Sequence, residues 1–224
     1  MQPLTLRAIL TTPVLIQGYS TLDAVLMATL QTGDVSHLLK AEDGLYFASA
    51  AFFKDPAPFK QKVSFVASMR PEHTPEWREI IRPNTRNPDA PPIENQGERK
   101  ANLNDLRIGL ARQREAGNIV NGYQATAASS VEWYATGDAT AVLEVVKDIS
   151  FIGKRRSSGY GQVAGWKVES GELDGVCGYL REPLRPVPVD RWSYGGDWVP
   201  LEAAWKAPYW DVRNRTKCFA PEQT

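Results

Sequence analysis

Histidine and cysteine are scarce in this chain of 224 residues, which contains two of each. Cys177 and Cys218 lie far apart, and neither belongs to a CxxC pair or neighbours a histidine. A zinc site takes about four nitrogen, sulfur or oxygen ligands at short, characteristic spacings, so the sequence predicts no metal site. We expect two free thiols, as is usual in a reducing compartment.

Long apolar runs are also missing. No segment approaches the roughly 20 apolar residues of a membrane-spanning helix. The first residues carry one cation, Arg7, and lack the apolar block of a signal peptide. The sequence therefore predicts a cytoplasmic protein without membrane contact.

An excess of either charge is absent as well, because 26 Lys and Arg residues balance 26 Asp and Glu residues. A protein that coats DNA without sequence preference is strongly basic, so the balance argues against that class. A nucleic-acid site on one face needs only local positive charge, and such a site stays open.

Hydrophobic periodicity predicts an α+β fold. Strands are expected over residues 4–10, 44–53, 62–69, 123–135 and 162–169, with 44–53 and 62–69 paired as a hairpin. A first helix is expected over residues 20–30, and a second helix follows Asp138 and extends to Ile149. Asp23 is explained as a cap or first-turn charge of the first helix. The order of elements is compatible with a ferredoxin-like βαββαβ core.

The domain organisation follows from changes in composition. We predict one domain over residues 1–176, with an insertion at about 70–122. Prolines prevent long regular elements in the first half of this insertion. A Pro- and Trp-rich extension over residues 177–224 completes the chain; it is too aromatic for a disordered segment and is expected to pack on the domain or on a partner.

The segment 153–161, which we call the glycine loop, carries the clearest chemistry. It consists of Gly153, Lys154, Arg155, Arg156, Ser157, Ser158, Gly159, Tyr160 and Gly161. Glycines allow close backbone approach and positive φ, and the cations with exposed N–H groups suit a phosphate. Ser157 and Ser158 either donate to phosphate oxygens or are turn residues. Tyr160 either stacks on a base or packs the loop on its own core.

These residues resemble the RAMP superfamily of CRISPR-associated proteins, which has a glycine-rich loop after the last helix of a ferredoxin-like core. The segment Thr21-Leu-Asp-Ala-Val-Leu-Met27 is similar to the "LDALLA" segment of the same proteins. Residues 178–186, residues 207–210 and the stretch through Cys218 and Pro221 resemble one branch. That branch is the Cas-five-like subunit of type IV effector complexes, which binds the 5′ handle of the crRNA.

The resemblance implies a non-catalytic subunit that caps a filament of backbone RAMP subunits and holds the crRNA 5′ handle. The implied partners also include the large subunit of the complex, target DNA near the protospacer-adjacent motif, and a helicase. No cofactor and no catalytic residue carry over. The insertion either acts as a thumb-like segment whose cations line an RNA groove or is a solvated loop of mixed charge without such a role. The cations concerned are Arg99, Lys100, Arg107, Arg112 and Arg114.

The residues also bear on two other functions. A metal-independent RAMP endoribonuclease needs a general base and cations near the scissile phosphate, for which His37, His73, Tyr123 or an arginine are candidates. A nucleotide-binding module is disfavoured because the glycine loop lacks the GxxxxGK[ST] order and follows a helix. Trp192, Trp198, Trp205 and Trp210 are expected to bury surface inside the fold or at a protein interface.

Overall fold

The computed structural model describes residues 1–16, 18–57, 60–68 and 118–222. It divides into two compact units. The first comprises Met1–Lys60, Ala125–Tyr209 and Arg213–Thr224, and the second comprises Gln61–Gln124 with Trp210–Val212. The described fold is mixed α+β and consists mostly of sheet, with two α-helices.

The described elements are numbered in chain order. The helices are α1 (Leu22–Leu30) and α2 (Ala139–Val146). The strands are β1 (Gln2–Leu10), β2 (Ala41–Glu42), β3 (Leu45–Tyr46), β4 (Phe52–Lys54), β5 (Gln61–Ser68), β6 (Asn118–Ala125), β7 (Ser130–Gly137), β8 (Val163–Ser170), β9 (Val187–Pro188), β10 (Leu201–Ala204) and β11 (Arg215–Phe219).

The main sheet of the first unit has the strand order β4-β7-β1-β8, and all its neighbours are antiparallel. The predicted first strand is confirmed as β1, in which Leu4, Leu6 and Ala8 are buried while the residues between them are partly exposed. This alternation places every second side chain on one face of the sheet. The predicted last strand is confirmed as β8, which begins one residue later than expected.

Both predicted helices are confirmed. Helix α1 ends where Gln31 takes a left-handed conformation, and α2 begins where the Asp138 side chain accepts a hydrogen bond from the Ala141 N–H at 3.0 Å. Side chains of both helices pack on the sheet in one cluster of buried residues. At its centre Trp133 of β7 is fully buried and stacks on Trp166 of β8, with ring centroids 6.0 Å apart.

Asp23 lies in the first turn of α1, as predicted, but it is not the N-cap residue. Thr21 is the N-cap residue of α1, and Asp23 is completely buried. Its carboxylate pairs with the guanidinium of Arg185, which is also completely buried, at 3.3 Å. A buried carboxylate requires such a partner, and this partner lies 162 residues further along the chain.

The predicted strand over residues 44–53 and its hairpin with 62–69 are wrong in detail. The segment contains β3, an isolated bridge between Ala48 and Ala135, and β4, because its backbone groups bond to β7 at irregular intervals. The Ser49 N–H, for example, donates to the Tyr134 carbonyl at 2.7 Å. The predicted strand over residues 62–69 corresponds to β5, Gln61–Ser68, but β5 pairs with β6; residue 69 lies outside the described residues.

The predicted strand over residues 123–135 is also wrong in its extent. Two strands occupy the region, β6 and β7, and a short connection at 126–129 separates them. Strand β6 already starts at Asn118, inside the range predicted for the insertion. Most of the predicted insertion lies outside the described residues.

The chain after residue 177 forms a small sheet of its own, with the order β10-β11-β9. Its residues Val187, Ala203, Trp205 and Cys218 are buried in a second cluster together with Leu45. Trp210, in contrast, is 60% exposed. Among the residues that the structure describes, no helix has the length and apolar character needed to cross a bilayer.

Candidate nucleic-acid interface

Two glycines fix the base of the glycine loop. Gly153 has φ +78° and Gly161 has φ +70°. A Cβ atom at Gly153 would lie 2.6 Å from the Leu15 carbonyl oxygen, and one at Gly161 would collide with the Ile152 carbonyl. These glycines are therefore needed for contact with the protein's own backbone, whereas the sequence led us to expect contact with a ligand.

Backbone hydrogen bonds hold the two ends of the loop in place. The Lys154 N–H donates to the Leu15 carbonyl, the Gly161 N–H to the Pro13 carbonyl, and the Ile152 N–H to the Gly161 carbonyl, each at 2.8 Å. Within the loop, the Ser158 and Gly159 N–H groups donate to preceding carbonyls. These N–H groups are engaged inside the protein, so a phosphate at the loop would be bound mainly by side chains.

The tip of the loop presents its cations to solvent. Lys154 and Arg156 are exposed, and Arg155 is half-buried with φ +57°. A positive φ is uncommon for arginine, so the backbone path of the tip is unusual. Arg156 begins a single 3₁₀ turn, Arg156–Ser158, in which both serines are exposed.

Gly159 and Tyr160 complete the tip. Gly159 is exposed with φ +84°, and an added Cβ would meet nothing within 4 Å. Tyr160 is half-buried. The structure thus places most of the predicted loop residues on one short, largely exposed turn above a base held by backbone hydrogen bonds.

An open groove of about 650 Å³ adjoins the loop. We call it the α1 groove; it is lined by Ile16, Ser20, Ala24, Val25, Ala28, Thr29, Trp133, Ile149, Ser150, Phe151, Ile152, Gly153 and Arg156. Most of these side chains are apolar, and Arg156 is the cation among them. The sequence analysis missed this groove, because its walls come from segments that are distant in sequence.

The sheet face turned away from the helices is less suited to an anion. Arg7 is the cation of β1 on that face, and its Nε donates to the Glu132 carboxylate at 2.7 Å. Glu169 lies 3.8 Å from the same guanidinium. The positive charge of Arg7 is therefore neutralised by two carboxylates.

The buried pair of Asp23 and Arg185 is a structural centre. The Arg185 guanidinium also donates to the carbonyls of Ala48 at 3.0 Å and Trp205 at 2.9 Å, and to the Tyr209 hydroxyl at 2.7 Å. The Tyr209 hydroxyl donates in turn to Asp23. Burial and the nearby Asp23 carboxylate raise the pKa of Tyr209. Because Asp23 and Arg185 are completely buried and are bonded to each other and to Tyr209, we assign the network to stability.

The remaining predicted residues come from other parts of the sequence. Arg99, Lys100, Arg107, Arg112, Arg114 and His73 lie outside the described residues. His37 is exposed shortly after α1, and Tyr123 belongs to β6 of the second unit.

Cys177 and Cys218 are both free, as predicted. Burial raises the pKa of the Cys218 thiol to about 11, which disfavours the reactive thiolate. Within the described ranges, no three His, Cys, Asp or Glu residues are grouped in a way that could hold a metal ion.

Comparison with known proteins supports one family. Residues 93–221, more than half of the chain, match the family model of the CRISPR type IV associated protein Csf3. The matched range includes the whole glycine loop and most of the C-terminal extension. No curated protein matches the chain.

Proposed function

Because the chain belongs to the family of the CRISPR type IV associated protein Csf3, we propose that it is the subunit of a type IV effector complex that binds the 5′ handle of the crRNA. The family gives the chain a role in type IV CRISPR systems. The RNA-binding role rests on the glycine loop, where three consecutive cations, two exposed and one half-buried, lie above a base held by hydrogen bonds. That arrangement is the observation that carries the proposal.

We further propose that the first unit is a ferredoxin-like core of the RAMP type. In support, one helix follows β1 and the other follows β7, and the sheet order is β4-β7-β1-β8. If β2 and β3 are counted as part of the first connection, the elements of this sheet and its helices follow in the order β1, α1, β4, β7, α2 and β8. This is the order βαββαβ, with the last strand beside the first. In this arrangement the glycine loop connects the second helix to the last strand.

The chemistry of the tip suits a ribose-phosphate chain. Arginine binds phosphate through two parallel N–H groups, and lysine contributes a point charge. Exposed serine hydroxyls are able to donate to phosphate oxygens. A fixed loop loses little conformational entropy when RNA binds, which favours affinity.

The proposed partners follow from this position in the complex. The subunit would cap the filament of backbone RAMP subunits and contact the large subunit, target DNA near the protospacer-adjacent motif, and a helicase. The exposed side chains of Tyr179, Leu180 and Val199, which are 70%, 85% and 84% accessible, are available for protein contacts of this kind. We propose binding without cleavage, which incubation of the protein with repeat RNA in metal-free buffer tests: a specific cut would contradict it.

The direct test changes Lys154, Arg155 and Arg156 to alanine together. Affinity for a single-stranded RNA that carries the repeat-derived handle, measured by fluorescence anisotropy, is expected to fall about 10- to 100-fold. Each phosphate contact to single strands contributes about 0.7 to the slope of log affinity against log salt concentration, so the slope should fall by about 2.

A matched control changes three other exposed cations, Lys167, Arg181 and Lys217, to alanine. This variant has the same net charge as the loop variant, and we expect it to bind RNA nearly as well as the unmodified protein. If both variants lose affinity equally, or if the loop variant loses none, the loop is not the RNA site.

A further inference from the structure

The α1 groove has the size and lining of a site for a small ligand. Its volume of about 650 Å³ lies within the roughly 300–1,000 Å³ that such sites occupy. Its walls are mostly apolar and hold a few polar groups, as is usual where a ligand has flat apolar faces and polar edges. A groove of this kind accommodates a planar ring better than an ion.

Phe151 supplies an aromatic surface at one wall of the groove. Its side chain is half-buried and lies outside both hydrophobic clusters of the described residues. Its backbone is fixed by the bridge to Gln162, at the start of the glycine loop. An aromatic side chain in the groove wall offers a surface for stacking, and stacking of a base on an aromatic residue is tolerant of base identity.

Polar groups of the groove match the other parts of a nucleotide. Ser20 and Ser150 carry hydroxyls that both donate and accept hydrogen bonds, as the edge of a base requires. Arg156 belongs to the groove and to the exposed tip of the glycine loop. An apolar side chain of a protein partner would form no hydrogen bonds with the serines or the arginine, whereas a nucleotide would form hydrogen bonds with all of them.

We infer that the α1 groove binds one unstacked nucleobase of the RNA, with Phe151 as its stacking surface and Arg156 on an adjoining phosphate. This inference rests on the proposed function, because it takes the RNA at the glycine loop as given. It adds that the protein unstacks one base of the bound strand from the adjacent bases. Ala24 and Ala28 of α1, one helical turn apart, leave the room for that base.

The test combines RNA without single bases with a variant in which the groove is filled. Removing the base at one position of the bound RNA, while keeping the backbone, is expected to weaken binding about 5- to 100-fold, and removal at most other positions about twofold or less. Ala28 is exposed, so Ala28→Trp fills the groove without disturbing the core. In that variant, intact RNA should bind as weakly as the sensitive abasic RNA, and removing the base should have no further effect.

Leu30→Trp is the matched control, since Leu30 is also exposed on α1 but does not line the groove. It should keep both the affinity for intact RNA and the sensitive position. The inference is overturned if no abasic position costs more than twofold, or if Ala28→Trp keeps the sensitive position. It is also overturned if Ala28→Trp binds RNA normally but no longer co-purifies with another protein subunit, because the groove would then be a protein-docking site.

The two proposals fail differently. If the triple alanine variant of the glycine loop loses affinity while every abasic RNA binds equally, the loop binds RNA and the groove is empty of bases. If the triple variant binds as well as the unmodified protein, the proposed function itself fails.

Discussion

Arg185 carries a positive charge in the interior of the first unit, where its two terminal nitrogens donate to carbonyl, hydroxyl and carboxylate oxygens. Asp23 supplies the opposing charge, and Tyr209 bridges the two side chains. Burial lowers the pKa of Arg185, but the charge of Asp23 and the Tyr209 hydroxyl outweigh this effect and raise it overall. Arg185 therefore stays charged, and the stability of the surrounding fold depends on the Asp23 carboxylate.

Replacing Asp23 with alanine is expected to destabilise the protein by about 3–5 kcal/mol, because a buried arginine would lose its counter-charge. The free energy of unfolding, measured by urea denaturation, checks this value. Asp148→Ala is a matched control, since Asp148 is exposed, and it should change stability by less than about 0.5 kcal/mol. Equal effects of the two substitutions would refute the ion-pair account.

Sequence reasoning had a clear limit at Asp23. An aspartate near the start of a helix is usually a cap or a first-turn charge, and local sequence contains nothing that argues otherwise. The buried partner of this first-turn charge, Arg185, comes from the C-terminal extension and was not predicted. Contacts over such separations depend on the tertiary fold, and periodicity in a short window carries no information about them.

Among the elements, the glycine loop offers a comparison between glycines that differ in their surroundings. The Cβ atom added by Gly159→Ala meets no neighbour, so this substitution is expected to lower the free energy of unfolding by about 1–2 kcal/mol through the positive φ alone. Gly161→Ala adds a collision with the Ile152 carbonyl, so it should cost about 2–5 kcal/mol. Urea denaturation of both variants tests the order, and a larger cost at Gly159 would show that the base of the loop is not packed as described.

The elements themselves were largely predictable, and their pairing was not. Strand β1 and both helices have periodicities that local sequence displays, as in the buried alternation of Leu4, Leu6 and Ala8. The segment 44–53 is rich in aromatic residues and reads as one strand, yet irregular bonds to β7 break it up. The partner predicted for β5 was also wrong, because its actual partner, β6, follows only after a long intervening segment.

The candidate site was predictable in part. The glycine loop could be recognised from composition, because glycines, cations and hydroxyls stand together between a helix and a strand. The α1 groove could not be recognised from the sequence. Its residues Val25, Trp133 and Phe151 come from α1, from β7 and from the segment before the glycine loop, and they meet only in the folded protein. The role of Gly153 and Gly161 in contacts with residues 13–15 and 152 was hidden for the same reason.

At the scale of the whole molecule, several tyrosines link stability to alkaline pH. Burial and the hydrogen bond to Asp34 raise the pKa of Tyr46 to about 12. Burial and the Asp174 carboxylate raise the pKa of Tyr194 to about 12 as well. A tyrosine whose pKa is raised in the folded state stabilises that state fully below its ordinary pKa of about 10, and this stability is lost as pH rises.

We therefore expect the free energy of unfolding to fall between about pH 10 and about pH 12, after a plateau at lower alkaline pH. Absorbance near the tyrosinate band should show part of the tyrosine population ionising only as the protein unfolds. Tyr46→Phe should make the fall shallower, because one linked group is removed. A fall that is complete below about pH 9 would contradict this account.

The account as a whole depends on the glycine loop contacting RNA, and cross-linking measures that contact directly. The protein would be irradiated in complex with handle RNA that contains a photoactivatable uridine, and then cleaved after glutamate, which leaves the loop within one fragment, residues 145–169. We predict that this fragment carries the main RNA adduct, with the modified residue between 151 and 161. Adducts confined to other fragments, at full binding of the RNA, would contradict the central claim.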